Sequence, residues 1–254
     1  MHPVALQIGN IAIYWYGVFI AIGILLGLWT ASRRALLDKL PGETIADLGL
    51  VLILGALLGA RLFYVVTYWE DFKGQPLSQL FAIRNGGLVF YGGLIGGSLA
   101  AVVWCLWKKL PIWRVGDALA PSIALGHFFG RLGCLMTGCC YGRPSDLPWA
   151  IHFPVDHATR GTAVHPAQLY ESGLNLMLYL GLAWLYRRKK FDGQVFATYL
   201  LSYAVLRSFV ELFRGDYPVE QLTGAATPAH LVSIGILAAG ALLWWRLPRR
   251  LGAK

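Results

Sequence analysis

Seven runs of apolar residues, each near the length that crosses lipid, dictate the kind of fold open to this chain. They lie at roughly 11–31, 45–68, 87–107, 113–136, 172–187, 193–213 and 229–246. A helix needs about 20 such residues to traverse the hydrocarbon core. The runs are continuously apolar, whereas a barrel strand would be about ten residues of strict alternation. Inside lipid a helix satisfies its own backbone donors and acceptors, so helices are the default reading. The expectation is an all-α membrane protein with seven transmembrane helices, a single integral membrane domain over 1–254, and an external loop at about 137–171. Composition agrees: charged residues make up 14% of the chain, against roughly 25% in a soluble domain. Disordered chains, coiled coils and disulfide scaffolds are excluded on the same ground. The start, MHPVALQIGN, has no basic n-region, so no cleavable signal peptide is expected.

The charges order these helices across the membrane. Fourteen of the 22 basic residues fall in one set of alternate loops: Arg33, Arg34, Lys39, Lys108, Lys109, Arg114, Arg187, Arg188, Lys189, Lys190, Arg246, Arg249, Arg250 and Lys254. Five fall in the other set: Lys73, Arg84, Arg143, Arg160 and Arg214. Basic loops stay in the cytoplasm, which places the N-terminus outside and the C-terminus inside. The net charge of +9 is then a topological signal, and no nucleic-acid partner is expected.

Three arginines remain, and they sit within spans. Arg61, Arg131 and Arg207 follow Asp47, Asp117 and Asp192 by fourteen or fifteen residues, or about 21 Å at the helical rise. That depth is the outer half of the bilayer. An Arg at a helix centre costs about 2.5–3.5 kcal/mol to insert, and nearby acids look too few to neutralise three. Guanidinium stays charged when desolvated and grips phosphate oxygens bidentately. A convergent set therefore points to a phosphodiester headgroup. In the sixth run Arg207, Glu211 and Arg214 share one helix face, where Glu211 is able to hold both guanidiniums. The alternative is structural: Arg61 snorkels, and Arg207–Glu211 pins a helix. Tyr16 (in YWYGVF) and Tyr91 (in FYGGLIGG) fall at the same depth, as phosphate donors or as members of an aromatic belt. Gly92, Gly93, Gly96 and Gly97 read as packing residues.

Residues 130–142, GRLGCLMTGCCYG, end the fourth run. Glycines bracket Arg131, and His127 lies one turn earlier as a candidate base or a packing residue. Cys134, Cys139 and Cys140 have no second ligand pair of the usual zinc spacing, so no metal and no cofactor is expected. A disulfide from Cys134 to Cys139 or Cys140 is open on the oxidising side. His165 and Gln168, in HPAQLYES, either staple the loop or touch substrate.

These segments resemble the bacterial prolipoprotein diacylglyceryl transferases: YWYGVF, GALLGARLFY, GRLGCLMTGCCYG, HPAQLYES and YAVLRSFVELFRGD. The resemblance spans nearly the whole chain, and the glycine–arginine and R-x3-E-x2-R segments are its specific parts. It implies a seven-helix bundle in the bacterial inner membrane, with its active site toward the outer leaflet. The implied activity moves a diacylglyceryl group from phosphatidylglycerol to the lipobox cysteine of a preprolipoprotein signal peptide, releasing glycerol 1-phosphate. By resemblance Arg131 binds the phosphate, Arg207 is the essential late arginine, and Glu211 and Arg214 are its partners. Tyr16, Gly142 and Arg143 also fall on family positions. The family's better-known pattern has Asn, Asn and Glu where Cys134, Thr137 and Cys139 stand, and a histidine where Tyr91 stands. The base is thus open between Tyr91 and His127, and a related transferase with another acceptor is the alternative. An anion or lipid transporter is the weaker rival, since no inverted repeat is evident.

Overall fold

The computed structural model describes residues 3–9, 11–81, 86–216 and 227–248. Arg84, Arg249, Arg250 and Lys254, used above for topology, lie outside them. Two short strands open the chain, β1 (Val4–Ile8) and β2 (Ile11–Tyr14), paired antiparallel. Helices α1 (Trp15–Leu37), α2 (Gly42–Thr67), α3 (Trp69–Phe72), α4 (Leu77–Leu80), α5 (Phe90–Trp107) and α6 (Ile112–Thr137) follow. A two-residue ladder, β3 (Ile151–His152) with β4 (Ala163–Val164), lies in the loop before α7 (Ala167–Tyr186), α8 (Gln194–Glu211) and α9 (Pro228–Arg246).

The seven long helices coincide with the seven apolar runs. Five of them, α1, α2, α5, α6 and α9, are long and apolar enough to cross a membrane. Their outer faces are apolar, as a lipid-facing surface requires: Leu50, Leu54, Leu58 and Leu62 form a ridge along α2, each more than half exposed. The sequence boundaries need two corrections. The first apolar run begins at residue 11, but residues 11–14 form a strand and α1 starts at Trp15. The alternating Val-Ala-Leu-Gln-Ile and Ile-Ala-Ile-Tyr segments fold onto one another through Gly9 at φ +58°. The fifth apolar run begins at residue 172, but α7 starts at Ala167, so the loop expected to reach 171 ends at Pro166. Polar Gln168, Glu171 and Ser172 hid that first turn from a hydropathy reading, and all three are buried.

The chain divides into two compact units. One comprises 35–115 and the other 1–34 with 116–254. In the unit of 35–115, α2 and α5 pack through facing glycines. A Cβ on Gly59 would lie 2.7 Å from the Gly96 Cα, so the two backbones touch because neither position carries a side chain. The packing role read for the Gly92–Gly97 glycines holds.

In the other unit, α1 and α6 are joined by Arg34, which donates to the Ala118 carbonyl (3.1 Å) and the Ser122 hydroxyl (2.5 Å). Tyr186 Oη donates to the Arg34 carbonyl, 3.0 Å away, which ties α7 to the same end. Asp117, fully buried, accepts from the backbone N–H groups of Gly193 (2.9 Å) and Phe196 (3.0 Å) and from Lys189 Nζ (3.2 Å). It thereby satisfies donors at the start of α8 that the helix itself cannot. The far ends of these helices carry the site.

Candidate active site

The site is built on a backbone seam. Gly142 N–H donates to the His165 carbonyl (3.1 Å), His165 N–H to the Arg143 carbonyl (3.0 Å), and Arg143 N–H to the Phe213 carbonyl (2.8 Å). Gly215 N–H returns to the Tyr141 carbonyl (3.1 Å). Three distant segments, the exit from α6, the approach to α7 and the exit from α8, are thus woven together. Gly142 is required there: a Cβ would sit 2.9 Å from the Phe213 carbonyl oxygen and closer still to that of His165. The Phe213 ring fills the seam, edge-on to His165, Tyr170 and Phe209 with ring centroids 5.3–5.5 Å apart.

The seam fixes the helix ends that carry the charges. Arg131 lies about 9 Å from the end of α6 and Arg207 about 6 Å from the end of α8, at the helical rise of about 1.5 Å per residue. Glu171, at the matching level of α7, binds Arg131 Nη2 at 2.9 Å. Glu211 binds Arg207 Nη1 at 2.5 Å, and its other oxygen accepts from the Thr227 hydroxyl at 2.7 Å, where α9 begins. Both carboxylates are buried. The expectation of too few neutralising acids therefore fails. Glu171 is four positions into a helix that hydropathy alone started late, and its pairing with α6 is not a local pattern. Arg214 meets Asp216 bidentately, at 2.9 and 2.7 Å.

These pairs converge. His127 is within electrostatic reach of both Arg131 and Arg207. Tyr203, one turn before Arg207, is within reach of Arg131, Arg207, Arg214 and Glu171. The His127 and Tyr203 rings lie 5.1 Å apart. Tyr203 is a site residue that the sequence reading missed, although its i, i+4 spacing to Arg207 is the available signal. The buried Nδ1 of His127 and Oδ1 of Asn175 have no hydrogen-bond partner among the described residues.

At the same level stand three thiols. The Sγ atoms of Cys134, Cys139 and Cys140 all lie within 4.8 Å of one another, and the cysteines are free rather than paired as disulfides. Hydrogen bonding to the Cys134 thiol, then to that of Cys140, holds the Cys139 sulfur below the usual thiol range. Tyr16, half-exposed at the start of α1, is within electrostatic reach of all three cysteines and of Arg131.

Arg61, read either as a phosphate ligand or as a snorkelling side chain, is buried and held by backbone carbonyls. Its guanidinium donates to the carbonyls of Leu80 (2.8 Å), Gly86 (2.9 Å), Gly87 (3.2 Å) and Gln79 (2.6 Å) and sits between the Tyr64 and Phe72 rings. Backbone carbonyls occupy the donors a phosphate would need. Arg61 and Tyr91 both belong to the unit of 35–115, where Tyr91 packs edge-on against Phe90. Gln168 is a staple, donating from Nε2 to the Cys139 carbonyl at 2.7 Å. Arg143 Nε donates to the Arg214 carbonyl at 3.0 Å, so Gly142, Arg143 and His165 serve the seam.

A sequence profile of the family described as prolipoprotein diacylglyceryl transferase matches residues 3–246. A phosphatidylglycerol–prolipoprotein diacylglyceryl transferase of Finegoldia magna is 38% identical over 244 residues, covering 96% of this chain and 94% of the relative. The enzyme of that name from Synechococcus elongatus is 35% identical over 250 residues, covering 94% and 85%. One from Parasynechococcus marenigrum is 38% identical over 269 aligned positions, covering 98% and 94%.

Proposed function

Since the chain belongs to the prolipoprotein diacylglyceryl transferase family, we propose that it transfers the diacylglyceryl group of phosphatidylglycerol to the lipobox cysteine of a preprolipoprotein signal peptide. Glycerol 1-phosphate is the product that leaves. All seven long helices span the inner membrane, the N-terminus is outside, and the site faces the outer leaflet. The basic residues at the Arg34, Lys109 and Arg188 ends support that orientation.

One observation carries the mechanism: Arg131 and Arg207, on two helices, are each held by a buried carboxylate, Glu171 at 2.9 Å and Glu211 at 2.5 Å, and the rings one turn before them, His127 and Tyr203, lie 5.1 Å apart. The reaction is displacement at a glyceryl carbon, and charge grows on the departing phosphate. Donors already aimed at that charge stabilise the transition state more than the ground state. Glu171 and Glu211 hold the two guanidiniums in place, so little side-chain freedom is lost when the phosphate arrives. An open apolar groove of about 510 Å³ runs between α7, α8 and α9, lined by Leu174, Val205, Leu206, Phe209 and Leu237. It offers an acyl chain a path beside the Arg207 face.

The test is replacement. Expressed in a bacterium depleted of its own transferase, the chain is expected to yield lipoproteins carrying the diacylglyceryl mass on their first cysteine. In membranes it is expected to release glycerol 1-phosphate from phosphatidylglycerol only when a lipobox thiol peptide is present. Unmodified precursors at normal expression and insertion would contradict the reading. Transfer to a different thiol, with precursors left unmodified, would point to the alternative acceptor.

A further inference from the structure

The three thiols do not follow from the phosphate site. Cys134 is on the last turn of α6, and the chain leaves the helix after Thr137. Gly138 (φ +79°) and Cys140 (φ +62°) then both take the left-handed conformation. For a residue with a side chain that conformation costs of order 1–3 kcal/mol and persists where the surroundings impose it. Here it folds Cys139 and Cys140 back over Cys134, which brings the three Sγ atoms within 4.8 Å of one another. With zinc–sulfur bonds of about 2.3 Å, tetrahedral ligands stand about 3.8 Å apart. Side-chain rotation of about 1 Å therefore closes the set. The backbone that carries it is already fixed, by Gln168 Nε2 on the Cys139 carbonyl and by His157 Nε2, 2.9 Å from that of Gly138.

We propose that Cys134, Cys139 and Cys140 form a trithiolate site for a divalent cation of the zinc class, with a fourth position left for the acceptor thiol. The absence of a second cysteine pair, read above as excluding metal, describes closed structural sites. Catalytic zinc sites keep three protein ligands and an open position. Arg131 lies within electrostatic reach of Cys134 and Cys140, so the excess negative charge of a trithiolate has a cationic neighbour. This inference rests on the transferase reading and gives it a route to the activated nucleophile other than the candidate bases Tyr91 and His127.

The step balances without any redox change. The acceptor S–H binds the cation and loses its proton to water, because a coordinated thiol ionises. A sulfur lone pair forms the S–C bond at the glyceryl carbon. The C–O bond to phosphate breaks, and its electron pair leaves with the glycerol phosphate. The product thioether is neutral and binds the cation weakly, which reopens the position.

The experiment uses the full chain purified under reductant. Zinc content is measured by elemental mass spectrometry, and cobalt(II) is titrated to read thiolate-to-metal charge transfer. One ion per chain is expected. Cys139→Ser and Cys140→Ser are each expected to lower affinity at least about 100-fold, and Cys105→Ser to leave it unchanged. Chelation is expected to abolish transfer to a lipobox peptide, with phosphatidylglycerol binding retained and zinc restoring turnover. No bound ion after reconstitution, a Cys134–Cys139 disulfide in active enzyme, or full turnover of the metal-free enzyme would each overturn the proposal. Stoichiometric metal with no transfer in any metal state would overturn the activation step and, separately, count against the transferase reading.

Discussion

Arg131→Gln is expected to lower turnover by about 10²–10³-fold, the usual loss when one preorganised donor to developing charge is removed. The same substitution strands Glu171, which is buried and bound to Arg131 Nη2. Leaving a buried charge without its partner costs up to about 3–5 kcal/mol. Lost activity alone would therefore mix two effects, and the double variant Arg131→Gln/Glu171→Gln separates them. Thermal stability in detergent is expected to return toward that of the parent, because two neutral amides replace an ion pair. Turnover is expected to stay low, because the phosphate has lost its cation. Recovery of both would make the pair a structural pin and nothing more. Glu171→Gln alone keeps the cation but frees its side chain, and is expected to cost about tenfold through misorientation.

The second large effect is predicted at Gly142. Its N–H is bonded to the His165 carbonyl and its neighbours are bonded to Phe213 and Gly215. Gly142→Ala forces a Cβ against two carbonyl oxygens that cannot retreat without breaking the seam. Overpacking commonly costs 1–3 kcal/mol, and this position is expected at or above about 3 kcal/mol, since backbone rather than side chain must move. The measurement is the thermal midpoint, with limited proteolysis of residues 141–165 as a local readout. Gly173→Ala, on α7 with open space around it, is the matched control. It is expected to be neutral or slightly stabilising, because alanine favours the helix. Equal behaviour of the two variants would remove the seam from the account.

Much of this was written in the sequence, and the parts that were not share a physical reason. Seven helices were legible because hydrophobic runs of bilayer length are a local signal. The late start assigned to α7 and the early one assigned to α1 come from the same source. Hydropathy cannot see that Gln168, Glu171 and Ser172 are polar yet buried, or that Ile11–Tyr14 is apolar yet extended. The arginines were legible as anomalies, since charge at membrane depth needs a cause. Their partners divide by range. Glu211 stands one turn from Arg207 and was read directly. Glu171 reaches Arg131 from another helix, and nothing in either segment encodes that meeting. Arg61 shows the limit of depth as an argument. It has the same apparent depth as Arg131, but the backbone carbonyls of Gln79, Leu80, Gly86 and Gly87 bind its guanidinium. The thiol cluster was hidden because it depends on the left-handed turn at Cys140, a residue type with no special liking for that conformation.

The central claim is that Arg131 and Arg207 act on one phosphate. A double-mutant cycle measures it directly: the affinity of short-chain phosphatidylglycerol for the parent, Arg131→Gln, Arg207→Gln and the double variant, all in detergent. Shared ligation predicts that each single change weakens binding and that the double change costs less than both together, with a coupling of at least about 1 kcal/mol. Losses that add to within about 0.5 kcal/mol, or phospholipid binding that ignores both substitutions, would show that the two guanidiniums do not meet on a common headgroup.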